Sequence, residues 1–259
     1  MRARELMEEL FALSEEADFS NTCDTLKAGD PDRELCRVAV AMLPTVEVIK
    51  AAHEWGADFL LVHEPMYFNH RDEHSDDPVE VQKRTLINET GMTVWRYHDH
   101  PHATRPDIID EGALRSLNLA GEREILPDGR IRFHTDEPIT PEALAALMEE
   151  KWALRHIRIC GAKDTPCRHI SLALGAGGAD ATFAEFKCPE CEILVAGELR
   201  EWSIGEYARD AAALGYNKAV LILGHEGSEK AGMIYTAEIV KEMHPELEVR
   251  YFESGETYA

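Results

Sequence analysis

No stretch of this sequence approaches the ~20 consecutive apolar residues that a membrane-spanning helix requires. The N-terminal segment, MRARELMEELFALSEEADF, is amphipathic and acidic, and it lacks the apolar core of a signal peptide. We therefore expect a cytoplasmic protein that contacts no membrane. In that compartment the six cysteines are expected to be reduced thiols rather than disulfides.

Positive charge is also scarce, since 27 Lys and Arg residues stand against 49 Asp and Glu residues, a formal net charge of −22. A surface this acidic repels the phosphate backbones of nucleic acids. Aromatic residues make up 7% of the chain and form no array on which single-stranded bases could stack. We therefore expect no nucleic-acid partner, and an anionic small substrate would need metal ions to supply local positive charge.

The chain has 259 residues, enough to bury the core of one large domain or two modest ones. Towards both ends of the sequence, short apolar runs alternate with amphipathic segments of helical spacing, which indicates parallel βαβ units. The predicted strands of this kind cover 36–43, 58–63, 92–98, 191–197, 219–224 and 247–252, and the predicted helices cover 3–14, 45–56, 79–91, 203–214 and 229–243.

The middle of the sequence has a different character. It predicts a hairpin over 123–135 around Pro127–Gly129, a helix over 140–153 with Thr140 as its N-cap, and two strands over 155–160 and 168–174. The predicted fold is therefore α/β, with mixed sheets flanked by helices. We expect a discontinuous main domain and an inserted smaller α+β domain, which cover 1–120 plus 215–259 and 121–214, respectively.

Potential metal ligands follow three of the predicted strands, where ligands bind in open parallel sheets. They are His63 and Glu64 after the first strand, His98, Asp99, His100 and His102 after the second, and His225 and Glu229 after the third. If a helix begins near His225, then His225 and Glu229 lie on one face of it. Imidazole and carboxylate together suit Zn, Mn, Fe or Ni. A single histidine at a strand end is usually a loop residue without such a role, and His70 and His74 fit that simpler interpretation.

Five blocks of sequence, in order DFLLVHEPMYF, YHDHPHA, LGAGGAD, ILVAGEL and LILGHEGSEKAG, span residues 58–232. Their order and spacing resemble the Nif3-like dinuclear metal-centre family, whose members are often named GTP cyclohydrolase I type 2 homologues. The resemblance implies an α/β fold with two metal ions per chain, assembled as a toroidal hexamer.

The resemblance also places the family's ligand motifs on this sequence. The usual His-His pair falls on His63 and Glu64, the usual His-x-x-x-Asp on His98 and His102, and the usual Gly-His-x-x-x-Glu on Gly224, His225 and Glu229. Glutamate thus stands where histidine is usual, and histidine where aspartate is usual, so the ligand count and the formal charge are kept. The usual Thr-Gly-Glu is Ala196-Gly197-Glu198, which lacks the hydroxyl.

We predict that five residues hold two divalent ions, of Zn, Fe, Mn or Ni: His63, Glu64, His102, His225 and Glu229. A carboxylate bridges the ions, with Glu229 favoured over Glu64. Two ions about 3.5–4 Å apart can share a water and generate hydroxide near neutral pH. His98 is predicted to carry protons, because histidine is the side chain best suited to proton transfer near physiological pH. Whether Asp99 or His98 also ligates stays open.

The predicted function is a metal-dependent hydrolase that acts on a small substrate, a nucleotide or another phosphate-containing molecule. The alternatives are a non-catalytic metal-binding or regulatory assembly, and a scaffold whose site is vestigial. Two weaker motifs remain. LGAGGAD, over 174–180, either cradles phosphate or makes a tight turn, and the turn is favoured. The CPEC motif of Cys188 and Cys191 could bind zinc together with Cys160 and Cys167, but thiols packed beside a strand are favoured.

Overall fold

The computed structural model describes residues 1–14, 17–127 and 129–258. In chain order the strands are β1 (Leu26–Ala28), β2 (Arg37–Ala41), β3 (Phe59–Val62), β4 (Thr93–Arg96), β5 (Gly121–Ile125), β6 (Ile131–Ile139), β7 (Arg158–Gly161), β8 (Cys167–Ala173), β9 (Ile193–Ala196), β10 (Ala219–Ile222) and β11 (Glu248–Phe252). The helices are α1 (Ala3–Phe11), α2 (Val46–Trp55), α3 (Pro78–Thr90), α4 (Asp99–His102), α5 (Ile108–Leu117), α6 (Pro141–Trp152), α7 (Ala179–Lys187), α8 (Glu206–Ala213) and α9 (His225–Met243). A π-helical turn, Glu201–Gly205, precedes α8.

The chain divides into two compact units, and the first comprises Met1–Ile108 and Met233–Gly255. Within the part of the chain that is described, its sheet has the order β1-β4-β3-β2-β11. The last four of these strands are parallel, as the alternation of strands and helices predicts, and β1 pairs antiparallel with β4 at the edge. Every residue of β3 and β4 is buried, which is typical of the central strands of a parallel sheet.

The second unit comprises Ile109–Gly232 and the residues that follow Gly255. Its described strands form a mixed sheet in the order β5-β6-β8-β9-β10-β7. The predicted hairpin is present as the antiparallel pair β5 and β6, although Asp128 at its tip lies outside the described residues. β8, β9 and β10 are parallel to one another. The mixed α/β fold predicted from the sequence is confirmed.

The division of the chain differs from the expected boundaries near 120 and 215. The difference arises because β10 pairs with β9 and β7, which places this strand in the second sheet, whereas β11 alone returns to the first sheet. The second boundary therefore falls inside α9 rather than before β10.

Local sequence signals account for several helix ends. Thr45 caps α2 by accepting a hydrogen bond from the backbone N–H of Val48, and Gly56 ends it in the left-handed conformation. Thr140 caps α6 in the same way, and Pro141 occupies its first turn. None of the helices in the described ranges combines the length and the apolar character that a bilayer span would need.

Candidate metal centre

The segment that carries the three clustered histidines of the first unit is held by a buried carboxylate, Asp24. Oδ1 of Asp24 accepts hydrogen bonds from the backbone N–H groups of His98 and Asp99, at 2.6 and 3.0 Å. Oδ2 accepts from the backbone N–H of His100 at 2.9 Å and from the ring Nδ1 of His100 at 2.6 Å. The short helix α4 therefore begins on a fixed anion, which matches the positive end of the helix dipole.

His63 and His102 each direct Nδ1 at an oxygen acceptor. The Nδ1–H of the fully buried His63 donates to the backbone carbonyl of Tyr97 at 3.0 Å. Nδ1 of His102 lies 2.8 Å from the carboxylate of Asp107. Such a partner fixes the tautomer that leaves the Nε2 lone pair for a metal ion.

The ring of His98 lies 4.6 Å from that of His63 and 5.2 Å from that of His102, measured between centroids. Ligand atoms of His63, His98 and His102 all lie within 4.8 Å of one another, a spacing compatible with a common ion. Nδ1 of His98 bonds to Asp99 Oδ1 at 2.9 Å, and its Nε2 lies 3.7 Å from Glu64 Oε1. The structure therefore brings His98 as close to the other two imidazoles as a ligand would be.

Burial and the neighbouring rings favour the neutral form of His63. Burial lowers the pKa of His63 well below 6.5, and the neighbouring His98 and His102 lower it further. Neutral imidazole is the form that binds metal. The guanidinium of the fully buried Arg96 lies 3.6 Å from Glu64 Oε2, so the Glu64 carboxylate faces a cation on one side and His98 on the other.

Two further histidines of the first unit differ in their surroundings. His100 is buried, and its ring stacks on Phe19 with a centroid distance of 3.7 Å. With its Nδ1 bonded to Asp24, it belongs to the core. His70 is exposed, but its ring lies edge-on to His98 at 5.5 Å. The interpretation of His70 as an isolated loop residue therefore overlooked a close neighbour.

In the second unit, α9 begins at His225, and the expected face of the helix forms. Nε2 of His225 lies 3.3 Å from Oε2 of the buried Glu229, one turn later. Nδ1 of the same ring lies 2.8 Å from Glu198 Oε1. A neutral imidazole carries one N–H and can donate to only one of two carboxylates. The remaining nitrogen and carboxylate together suit a cation, so this donor set fits a metal ion.

Two glycines allow the backbone to approach Glu229. Gly175, at φ +61°, lies so close that a Cβ there would overlap Oε1 of Glu229, and a Cβ on Gly197 would overlap Ser228 Oγ. Ser228 Oγ in turn accepts a hydrogen bond from the Gly175 N–H at 2.9 Å. The LGAGGAD segment is thus the tight turn that was favoured. Its first glycine faces a carboxylate, which disfavours phosphate at that point.

The cysteines of the CPEC motif pack as thiols. Cys191 is fully buried in the apolar cluster of the second unit, and burial raises its pKa to about 12. The amine of Lys218 donates to the backbone carbonyls of Phe186, Cys188 and Cys191, which closes the turn after α7. Over the described ranges, the clusters with metal-ligand spacing contain none of Cys160, Cys167, Cys188 and Cys191.

Nearly the whole chain matches a known protein family. Residues 1–257 match the Duf34/NIF3 (NGG1p interacting factor 3) family. The chain belongs to this family. The Nif3-like resemblance found in the sequence blocks is thereby confirmed.

Relatives of this NIF3-family chain are distant in sequence. A Clostridium perfringens protein named GTP cyclohydrolase 1 type 2 homolog is 22% identical over 247 residues, which cover 92% of this chain and 89% of the relative. A Streptomyces coelicolor protein of the same name is 25% identical over 190 residues, or 69% and 65% of the two chains. A solved Bacillus cereus protein related to NIF3 has a TM-score of 0.74 and 14% identity, and the match covers 100% of this chain and 98% of that one. Identity this low shows a common fold alone.

The predicted ligands belong to two units: His63, Glu64 and His102 to the first, His225 and Glu229 to the second. That all five hold the same two ions stays a prediction. Sequence reasoning missed three residues that position the ligands, namely Asp24, Arg96 and Asp107. The only sequence signal for Asp107 was its spacing of five residues from His102, and Asp24 and Arg96 gave none.

Proposed function

We propose that this NIF3-family protein is a metal-dependent hydrolase that binds two divalent ions through His63, Glu64, His102, His225 and Glu229. The observation that carries the proposal is the trio of His63, His98 and His102, whose ligand atoms lie within 4.8 Å of one another. The Nδ1 atoms of its two proposed ligands are held by oxygen acceptors, an arrangement typical of metal-binding imidazoles. Zn, Fe, Mn and Ni all accept this mixture of imidazole and carboxylate.

Two divalent ions would supply Lewis acidity at this site and would lower the pKa of a bound water molecule. The chain's own residues have separate tasks. His98 holds and moves a proton at Nε2, since Asp99 engages its Nδ1 and fixes the ring. Arg96 balances the carboxylate of Glu64. Glu229, enclosed by the Gly175 turn, is the favoured bridging ligand, and Glu64 is the second choice.

The substrate class in this proposal is a small, phosphate-containing molecule, and a nucleotide fits the description. A cavity of about 670 Å³ in the second unit supports a small substrate, because its wall includes His225 and Gly224. Arg155 and Arg158 line the same cavity together with four glutamates, Glu198, Glu201, Glu226 and Glu256. An anionic group would therefore also need bound metal ions to offset these carboxylates. The names of the curated relatives agree with a nucleotide substrate.

We also propose that the chains assemble as a homo-hexamer. Large apolar side chains at the surface of the second unit, among them Trp202, Leu214 and Tyr216, support an association that offsets repulsion between chains of net charge −22. Light scattering at micromolar concentration in ~0.15 M salt should report a closed oligomer. A monomer under these conditions would contradict the assembly. The cytoplasmic location and the absence of a nucleic-acid partner stay predictions.

The test of the function joins metal content to turnover. Protein purified without chelator should hold two ions per chain by elemental analysis, and it should hydrolyse GTP or a chromogenic phosphate ester. His98→Ala should keep both ions and lose turnover. A lower ion content in His98→Ala would instead make His98 a ligand. Two bound ions without turnover on a panel of nucleotides and phosphate esters would favour the non-catalytic metal-binding assembly.

A further inference from the structure

A second cluster of metal-ligand type lies in the first unit, and it shares no residue with the five proposed ligands. Ligand atoms of Cys23, His70 and Asp99 all lie within 4.8 Å of one another. Cys23 is buried, Asp99 is half-buried and His70 is exposed, so the cluster extends from the interior to the solvent. A cation could therefore enter from the side of His70 and meet a buried sulfur.

The best-defined pair in this cluster is the thiol of Cys23 and the carboxylate of Asp99. The Sγ atom lies 3.5 Å from Asp99 Oδ1. In a tetrahedral zinc site, ligand bonds of about 2.3 Å to sulfur and about 2.1 Å to oxygen hold these two atoms about 3.6 Å apart. The pair therefore already has the separation that a shared ion requires.

Asp99 is held in place by other groups. Its Oδ2 accepts hydrogen bonds from Thr22 Oγ1 at 2.8 Å and from the backbone N–H of Cys23 at 3.1 Å. Its Oδ1 faces both the thiol and Nδ1 of His98. The carboxylate is thus oriented without a metal ion, and an ion at Oδ1 would replace the thiol proton there.

The loop that carries His70 is anchored from beneath by Asp72. This buried carboxylate accepts a hydrogen bond from the backbone N–H of Tyr67 at 3.1 Å and pairs with Lys27 at 2.6 Å and with Arg96 at 3.4 Å. Among the described residues, the ring nitrogens of His70 make no hydrogen bond, so either nitrogen is available for a ligand. Its exposed side chain can turn to close the remaining distance.

We propose that Cys23, His70 and Asp99 form a third cation site, which takes Zn²⁺ or a similar borderline-soft divalent ion. Binding exchanges the thiol proton, which leaves to solvent, for a metal–sulfur bond. One thiolate, one imidazole and one carboxylate suit Zn²⁺ or Co²⁺ and disfavour Mg²⁺ and Mn²⁺, which prefer oxygen ligands. Three protein ligands leave a fourth position for water. Through Asp99, an ion here would also act on the position of His98.

Cobalt provides a test because a thiolate ligand gives Co²⁺ a charge-transfer band in the near ultraviolet, and none of the five proposed ligands contains sulfur. Co²⁺ titrated into the metal-free, reduced protein should produce this band and reach three ions per chain. Mn²⁺ should reach only two. Cys23→Ser should abolish the band, and His70→Ala, a change at the surface, should weaken Co²⁺ binding at this site at least tenfold.

Two matched variants test whether the sulfur is that of Cys23. Cys36→Ser, at an exposed thiol, and Cys188→Ser, in the CPEC motif, should leave the band unchanged. Absence of the band from the wild-type protein, or its survival in Cys23→Ser, would overturn the third site, as would full Co²⁺ affinity in His70→Ala. The Mn²⁺ count reports on the two-ion proposal separately, so failure of one proposal is distinguishable from failure of the other.

Discussion

The two units hold their candidate ligands by different means. In the first, imidazoles are oriented from behind by oxygen acceptors, such as the Tyr97 carbonyl behind His63 and the Asp107 carboxylate behind His102. In the second, a carboxylate is enclosed by backbone, because Gly175 packs directly against Glu229. The first arrangement depends on side chains that can be exchanged for near-isosteric ones. The second depends on the absence of a Cβ, which no substitution preserves.

The largest loss of bound metal ions is therefore expected from a substitution in the turn that encloses Glu229. Gly175→Ala should displace the Glu229 carboxylate and reduce the content of bound ions below two per chain. It should also destabilise the fold by about 1–2 kcal/mol for the left-handed backbone alone. Elemental analysis and thermal unfolding measure the two consequences.

A substitution at a second glycine of the same turn distinguishes the loss of bound ions from the loss of fold stability. Gly178 is also left-handed, at φ +51°, but a Cβ there meets nothing within 4 Å. Gly178→Ala should therefore cost similar stability and keep both ions. Equal ion content in the two variants would show that Glu229 is not a ligand.

The next largest loss of bound ions is expected at Glu64 and His102, the two ligand positions that differ from the usual family pattern. Glu64→His removes a carboxylate that lies 3.6 Å from the buried Arg96, which keeps Asp72 as its second partner at 3.4 Å. His102→Asp places a carboxylate beside that of Asp107, where a ring nitrogen now lies at 2.8 Å. Each single change should lower the ion content.

The double change tests whether Glu64 and His102 act together. Glu64→His with His102→Asp keeps the ligand count and charge, so it should recover more ion binding than either single variant. Metal content measured on all four proteins decides the matter. Purely additive losses would mean that the positions act independently, and Asp99 or His98 would then be the better ligand from the YHDHPHA block.

A smaller effect is expected where Asp24 holds the histidine-bearing segment. Asp24→Asn loses one acceptor oxygen and turns an amide donor toward the backbone N–H of either His98 or His100, because these two groups bond to different oxygens of Asp24. We expect a loss of about 1–3 kcal/mol in the free energy of unfolding and weaker ion binding. Asp32→Asn is the control, since this exposed carboxylate pairs with Arg2 and Arg4 at the surface. Comparable losses in urea unfolding of both variants would contradict the role of Asp24.

The sequence predicted most of the strands, the cap of α6 and the ligand-bearing strand ends because those signals are local. Thr140 and the apolar runs each act within a few residues, whereas the short edge strand β1 was not predicted. Asp24 could not be predicted, since it lies 74 positions before His98 and meets it only through the pairing of β1 with β4. The division into units also depends on non-local contacts, because strand pairing assigns β10 to the second sheet.

The pH dependence of the metal-free protein reports on the imidazoles of the first unit. The pKa of folded His63 lies well below 6.5, whereas unfolded His63 takes up a proton near pH 6.5. The unfolded state therefore binds more protons as the pH falls, and stability decreases below about pH 6.5. His63→Gln should flatten this decrease in urea unfolding followed from pH 7.5 to 5. His53→Gln, at an exposed position of α2, should leave the decrease unchanged.

The smallest change in ion binding is expected from substitutions of the carboxylates that contact Nδ1 of His102 and of His225. Both lie 2.8 Å from Nδ1 of their histidine, but the side chain of Asp107 is 8% exposed and that of Glu198 is 60% exposed. Solvent screens an exposed charge and replaces its hydrogen bond, whereas a buried partner has no substitute. Asp107→Asn should therefore weaken ion affinity by about 10–100-fold, and Glu198→Gln by clearly less. Competition with a chelating dye measures both affinities, and circular dichroism checks that both variants fold. Equal losses of ion affinity would mean that water does not replace Glu198. The exposed contact between Glu198 and His225 would then contribute as much to ion affinity as the buried contact between Asp107 and His102.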